Sequence, residues 1–220
     1  MEFEVRRWRP GLRSELAVAG PLFDLKSDLG VEDSRNQEYR GYIRFGRWLK
    51  VHASTFKFNF RGLSTLERDI TFSDATFLEG TEVSTVMTLQ HIKGGVEVDI
   101  LALREGFLAV VVDYSDFKAK PVNLSSADSS AEETLEMALP TLGLRGRIYL
   151  TPALALTAEA TGMKRESTGV ITDFEGVVTY NLSRNIGVSV GYRNFYAKWL
   201  KQGRAVFRME GYFFSGTVRF

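Results

Sequence analysis

The chain contains no cysteine in 220 residues. That excludes disulfide staples, cysteine-ligated metal centres and thiol nucleophiles. Histidine is nearly as scarce, with His52 and His91 the two present. His91 has no second His at ligand spacing, so it makes a poor metal site, and no cofactor is expected. No stretch approaches the ~18 apolar residues of a transmembrane helix, and the 3.6-residue period of an amphipathic helix is almost absent. Neither charge sign dominates: 28 Lys and Arg face 27 Asp and Glu, for a formal net charge of +1. With no basic block and no RNP-like segment, nucleic acid is not an expected partner. Gly187 and Gly191 do not make a phosphate loop, because they lie inside a strand pattern, where glycine eases packing or bending. The opening Met1-Glu2-Phe3 lacks the basic start and apolar run of a signal peptide. The chain therefore reads either as the mature form of an exported protein with a start Met added, or as a cytoplasmic protein.

What is present is alternation. A strand turns successive side chains to opposite faces, and period-two patterning recurs along nearly the whole chain. Leu12, Ser14, Leu16 and Val18 alternate with Arg13, Glu15 and Ala17. Tyr39, Gly41, Ile43 and Phe45 alternate with Arg40, Tyr42 and Arg44. Leu49, Val51 and Ala53 alternate with Lys50, His52 and Ser54. Ile92, Val96, Val98 and Ile100 alternate with Lys93, Glu97 and Asp99. The second half repeats this through Leu108–Tyr114, Leu142–Ile148, Leu154–Ala158, Phe174–Tyr180, Ile186–Tyr192 and a closing Tyr212–Phe220. Such patterning averages out in a hydropathy window, so a mean hydropathy of −0.11 and a charged fraction of 25% look soluble without excluding a membrane barrel.

Connections alternate between short and long. Gly46–Trp48, Ala102–Gly106, Thr151–Ala153 and Leu182–Asn185 read as tight turns. Gly20–Asn36, Arg61–Gly80, Ala119–Thr134, Lys164–Gly169 and Lys201–Arg204 read as loops, with Leu25–Gly30 and Asn123–Glu133 solvated. About ten strands follow, in one domain over residues 1–220. The expected fold is all-β: a closed antiparallel up-and-down transmembrane β-barrel. Eight strands is the alternative, with Arg40–Phe45 and Phe56–Phe60 as loop extensions.

Alternation alone does not say which face is inside. A soluble barrel of the lipocalin kind encloses its apolar face; a membrane barrel inverts this. The apolar parity is rich in Gly, Ala and single β-branched residues, without layers of bulky side chains. Tyr39, Phe45, Tyr114, Tyr180, Tyr192, Tyr212 and Phe220 fall near strand ends, where interfacial girdles lie. A charge facing lipid at the bilayer midplane costs about 2–4 kcal/mol. The charged parity is therefore assigned to the lumen as an ion-pair network: Arg13, Glu15, Arg40, Arg44, Glu97, Asp99, Asp113, Arg145, Arg147, Glu159, Asp173, Glu175 and Arg193. Arg145, Arg147 and Arg193 are the natural partners of Glu97, Asp99, Glu159 and Glu175, because a guanidinium meets a carboxylate bidentately. A balanced set of this kind fills a lumen; a narrow channel is the rival.

Tyr180-Asn-Leu-Ser-Arg-Asn185, Gly187-Val-Ser-Val-Gly-Tyr-Arg193 and the terminal Tyr212-Phe-Phe-Ser-Gly-Thr-Val-Arg-Phe220 resemble the small Gram-negative outer-membrane barrels of the OmpA-like and OmpX-like group. The resemblance covers nearly the whole chain as pattern and is specific in the last three strands. It implies a cell outer membrane location, contact with outer-membrane lipid and lipopolysaccharide, and a monomeric state. It also implies a C-terminal signal read by the barrel assembly machinery, carried by Tyr212, Phe214, Val218 and Phe220. The group's functions are diverse, and fold does not choose between them. A structural or interaction role through the outer loops, without enzymatic activity, is the expectation, with a narrow porin-like pore next. A lipid-modifying acyl hydrolase is a third reading: His52 and Ser54 share a strand face, and a His can activate a Ser for acyl transfer. The paired carboxylates Glu97/Asp99 and Asp173/Glu175 are read as salt-bridge partners of the arginines.

Overall fold

The computed structural model describes residues 1–17, 20–34, 36–200 and 204–220. Its strands are β1 (Glu2–Trp8), β2 (Gly11–Ala17), β3 (Asn36–Phe45), β4 (Leu49–Thr65), β5 (Ile70–Phe72), β6 (Ala75–Phe77), β7 (Glu82–Leu103), β8 (Gly106–Ser125), β9 (Ser130–Tyr149), β10 (Leu154–Arg165), β11 (Gly169–Asn181), β12 (Ile186–Trp199) and β13 (Arg204–Arg219). β1 and β2 act as a single stave. β2 pairs with the Arg204–Glu210 half of β13 and β1 with the Phe213–Arg219 half. The break falls at Arg9-Pro10, where proline has no N–H to give to the ladder. Each remaining barrel strand pairs antiparallel with its neighbours, and β1–β13 pairing closes the ring. The result is a ten-stranded barrel, closed by β1 at the short-turn end and open between β2 and β4 at the other. Both segments that distinguished eight strands from ten lie in β3 and β4. The β5–β6 hairpin is a separate two-stranded sheet in the connection between β4 and β7, with Ile70, Phe72 and Phe77 buried in the core.

Tight turns at 46–48, 104–105, 150–153 and 182–185 share one end with the termini, where the Phe220 N–H donates to the Met1 carbonyl at 2.9 Å. The other end differs from expectation in two places. Ala119–Thr134 is mostly strand: β8 runs on to Ser125, β9 starts at Ser130, and the turn Ser126–Ser129 is closed by its own backbone bond. Asn123–Glu133 is not solvated throughout, since Leu124 and Ala131 are buried. Leu25–Gly30 also packs inward, with Leu25 and Leu29 fully buried. Val18 and the Lys201-Gln202-Gly203 connection lie outside the described residues.

The burial of Leu25 and Leu29 has a topological cause. β3 ends at Asn36, opposite Trp8, so the upper parts of β2 and β4 have no strand between them. Residues 20–34 fill that space. Leu16 and Phe23 exchange backbone bonds at 2.8 and 2.9 Å, and the Glu32 N–H donates to the Arg61 carbonyl at 3.1 Å. On β2, the N–H groups of Leu12 and Ser14 donate to the carboxylates of Asp33 and Asp24, both at 3.1 Å. Gly62 on β4 is needed here, because a Cβ would sit 2.4 Å from the Leu29 carbonyl oxygen.

The long staves carry their alternation through the middle of the barrel, with one bulge on β8 between Ala119 and Val122, but the polarity carried by that alternation reverses partway up. On β4 the inward side chains are Lys50, His52 and Ser54, then Phe56, Phe58 and Phe60. The outward ones are Leu49, Val51 and Ala53, then Thr55, Lys57, Asn59 and Arg61. On β12 Ser189 and Arg193 give way inside to Phe195, Ala197 and Trp199, while outside Val188, Val190 and Tyr192 give way to Asn194, Tyr196 and Lys198. Pairing places the switch at one height: Ser54 lies opposite Lys93 and Phe56 opposite His91 on β7, and Phe117 of β8 lies opposite His91. The half near the short turns thus has an apolar belt outside and charge inside. The half near the loops has a polar wall around an aromatic core, in which Phe117, Phe195, Trp199 and Phe207 stack edge to face and tilted at 5.0–6.3 Å. Several expected girdle aromatics, among them Tyr114, Tyr192 and Tyr212, mark the switch height rather than strand ends. An arginine at Leu144, in the belt, is expected to destabilise the barrel by about 2–4 kcal/mol. An arginine at Thr88, outward on the loop-end half, is expected to change stability by less than about 0.5 kcal/mol. Urea titration of both variants folded in phospholipid vesicles checks the contrast.

Candidate functional site

The charged interior begins at the switch. Arg193 on β12 has no exposed surface. Its Nε and one terminal nitrogen donate to the two carboxylate oxygens of Asp173 at 2.7 Å each, and its other terminal nitrogen donates to Glu38 at 2.8 Å. The same guanidinium lies 5.0 Å from the Trp8 ring, 5.4 Å from Phe56 and 5.8 Å from Phe195. It therefore closes the aromatic core from below with its flat face and binds the ionic layer with its edge, a dual use that lysine's point charge does not offer.

From Arg193 the pairs continue across the lumen. Arg40 donates to Glu38 at 2.8 Å and grips Glu175 bidentately at 2.9 and 2.7 Å. Arg6 reaches the same Glu175 at 2.7 Å and holds Glu4 at 2.9 Å, with its own face 4.3 Å from the Phe213 ring. Phe213 lies against Gly191, where a Cβ would come 2.4 Å from the ring. Lys93 donates to Glu159 at 2.8 Å and lies 3.4 Å from Asp113 and 3.6 Å from Asp173. Lys50 bridges Glu97 and Asp99, and Arg145 donates to Glu97 at 3.2 Å. Among the described residues the buried set holds eight carboxylates, Glu4, Glu38, Glu97, Asp99, Asp113, Glu159, Asp173 and Glu175, against six Lys and Arg, Arg6, Arg40, Lys50, Lys93, Arg145 and Arg193. At the edges, Arg44 lies 3.4 Å from Asp99 and the His52 Nε2 lies 2.7 Å from Asp113.

Of the residues assigned to the lumen from sequence, Arg40, Glu97, Asp99, Asp113, Arg145, Glu159, Asp173, Glu175 and Arg193 are brought together inside. Arg44 and Arg147 stand at the rim, Arg44 half exposed and Arg147 donating to Thr157 at 2.9 Å. Arg13 and Glu15 are misplaced by the sequence reading. They point outward on the loop-end half, where Arg13 pairs with Glu210 at 3.2 Å, while Leu12 and Leu16 are buried. The rule that charge faces in holds below the switch and fails above it. Glu4, Arg6 and Glu38 escaped the sequence reading. The signal for the first two was present, because Phe3 and Val5 alternate with Glu2, Glu4 and Arg6.

The structure does not assemble the proposed His52/Ser54 pair. His52 turns to Asp113, and the buried Ser54 hydroxyl has no hydrogen-bond partner among the described residues. A different contact does form: His91 Nε2 lies 2.6 Å from the Ser115 hydroxyl, walled by Phe56, Phe117 and Phe195. Both residues have 1% exposure, so no substrate reaches them.

No protein-family model and no curated protein matches this sequence. Solved structures do match the fold. The outer-membrane protease OmpT from Escherichia coli aligns over 100% of this chain and 96% of its own, with a TM-score of 0.59 and 9% identity. The translocator domain of the autotransporter NalP from Neisseria meningitidis aligns over 100% and 89%, with a TM-score of 0.49 and 12% identity. The chain has the fold of outer-membrane β-barrels, and at 9% identity the OmpT likeness speaks for the fold alone. Replacing Arg193 by Ala strands Glu38 and Asp173 without their shared partner and is expected to cost about 3–5 kcal/mol. Replacing the half-exposed Arg44 by Ala is expected to cost under about 1 kcal/mol. Denaturant midpoints of the two variants check this.

Proposed function

We propose that this protein is an integral outer-membrane barrel with a closed lumen, monomeric, whose role is structural or interactive through the polar half that stands clear of the lipid. The observation that carries the reading is the interior cross-section at the switch. Arg6, Arg40 and Arg193 are exposed by 2%, 2% and 0%, each is tied to carboxylates on other strands, and an aromatic core lies directly above them. A conducting path would have to displace both layers, leaving buried charges unpaired. The outward apolar belt supports the membrane placement. Tyr212, Phe214 and Val218 point outward from β13 and Phe220 is exposed just beyond it, as a signal read by an assembly machinery requires, and lipopolysaccharide is the natural neighbour of the polar wall. No catalytic role is assigned to His52 or Ser54.

A narrow pore is the second reading, favoured by the cavity of about 410 Å³ that opens into the lumen at the short-turn end. On the proposed reading that cavity is blind. Purified barrel in planar lipid bilayers is expected to show no steady ohmic current. A stable conductance with defined unit steps would contradict the closed lumen and favour the pore.

A further inference from the structure

The mouth at the short-turn end has a composition unlike the paired interior above it. Its cavity of about 410 Å³ falls in the range of small-molecule sites, ~300–1,000 Å³. Five basic side chains line it, Arg44, Lys50, Arg145, Arg147 and Arg219, together with Met1 and Phe220, whose amine and carbonyl meet at 3.2 Å. Three side-chain carboxylates answer them, Glu2 and Glu97 on the lining and Asp99 beside it. Glu2 is taken by Arg219 at 2.8 Å, Glu97 by Lys50 and Arg145, and Asp99 by Lys50 and Arg44. Donors are left over. Arg147 gives its Nε to the Thr157 hydroxyl; its terminal nitrogens make no hydrogen bond among the described residues, and Glu2 is the carboxylate whose charge it meets. The Nε of Arg145 is buried without an acceptor, its nearest carboxylate oxygen beyond hydrogen-bond range at 3.9 Å on Glu159. A buried guanidinium N–H without an acceptor costs free energy until something accepts it. The walls between these groups are aromatic. Tyr42 stacks against Arg145 at 4.7 Å and Phe107 against Lys50 at 3.7 Å, with Tyr149 beside them.

We propose that this mouth binds a small aromatic oxyanion, its carboxylate or phosphate held by Arg147 and Arg145 and its ring lying among Tyr42, Phe107 and Tyr149. Forked donors recognise a planar or tetrahedral oxyanion, and offset aromatic contacts hold the ring. The Arg147 terminal nitrogens give the anion its contacts without breaking a hydrogen bond among the described residues, and the Arg145 guanidinium on the same wall adds its charge. The site does not depend on whether the lumen conducts, since it lies entirely below the Arg193 layer.

Isothermal titration of the full chain in detergent micelles with phenyl phosphate tests it, with phenol and inorganic phosphate as comparison probes. Phenyl phosphate is expected to bind saturably at one per barrel, inorganic phosphate more weakly, and phenol without saturation. Arg147→Gln is expected to weaken phenyl phosphate on the order of tenfold, and Arg147→Lys by less. Arg208→Gln, on the outer polar wall, is expected to bind as the parent does. Unchanged heat-modifiable gel migration shows that each variant is folded. Absence of saturable binding, or equal affinities for the Arg147→Gln and Arg208→Gln proteins, overturns the proposal. Equal affinities for phenyl phosphate and inorganic phosphate overturn the aromatic assignment.

Discussion

The guanidinium of Arg193 stands where two different interiors meet. Its edge satisfies Asp173 and Glu38, and its face closes a layer built from Trp8, Phe56 and Phe195. Charge buried beside apolar rings is costly unless every donor is engaged, and here the engaged donors point down while the rings sit above. Arg40 and Arg6 extend the ionic side through a shared Glu175. Phe117, Trp199 and Phe207 extend the aromatic side. Without such a boundary group, a barrel filled with charge in one half and with rings in the other would expose one filling to the other.

The boundary inside has its counterpart outside. In a closed barrel, inward and outward residues alternate along every stave, and a single registry slip would exchange them. At the height of the switch the chain reverses polarity without slipping; its bulge on β8 lies higher, between Ala119 and Val122. On β4, residues of one parity run from Lys50 to Phe60 facing in, and those of the other from Leu49 to Arg61 facing out. One half therefore follows the logic of a membrane barrel and the other that of a soluble one. The four surfaces cancel in any average, which is why the composition reads as that of an ordinary soluble domain.

Much of the fold was legible in the sequence because strand parity survives any loop detail. The tight turns at 46–48 and 182–185, the ten staves and the inward course of Arg145, Glu175 and Arg193 could all be read from alternation. The reversal was harder to see, because alternation reports that two faces differ and not which solvent each meets. Arg13 and Glu15 were placed inside by carrying the rule of the lower half into the upper. Glu4 and Arg6 sit on a stave that Pro10 divides into two short pieces, so its alternation is brief in the sequence. Leu25 and Leu29 looked solvated among Lys26, Ser27 and Asp28, and only the short β3 explains why that segment is drawn into the wall. The surplus donors at the mouth depend on which partner each arginine takes, a property of three dimensions alone.

The reversal of environment along one outward face is the claim that everything else rests on. Because the chain has no cysteine, single cysteines at Val51 and Asn59 can carry an environment-sensitive fluorophore with no background labelling. In vesicles containing lipids brominated on their acyl chains, the account predicts strong quenching of the probe at position 51 and little at position 59, although both share one face of β4. Equal quenching at the two positions, or quenching at 59 alone, would contradict it.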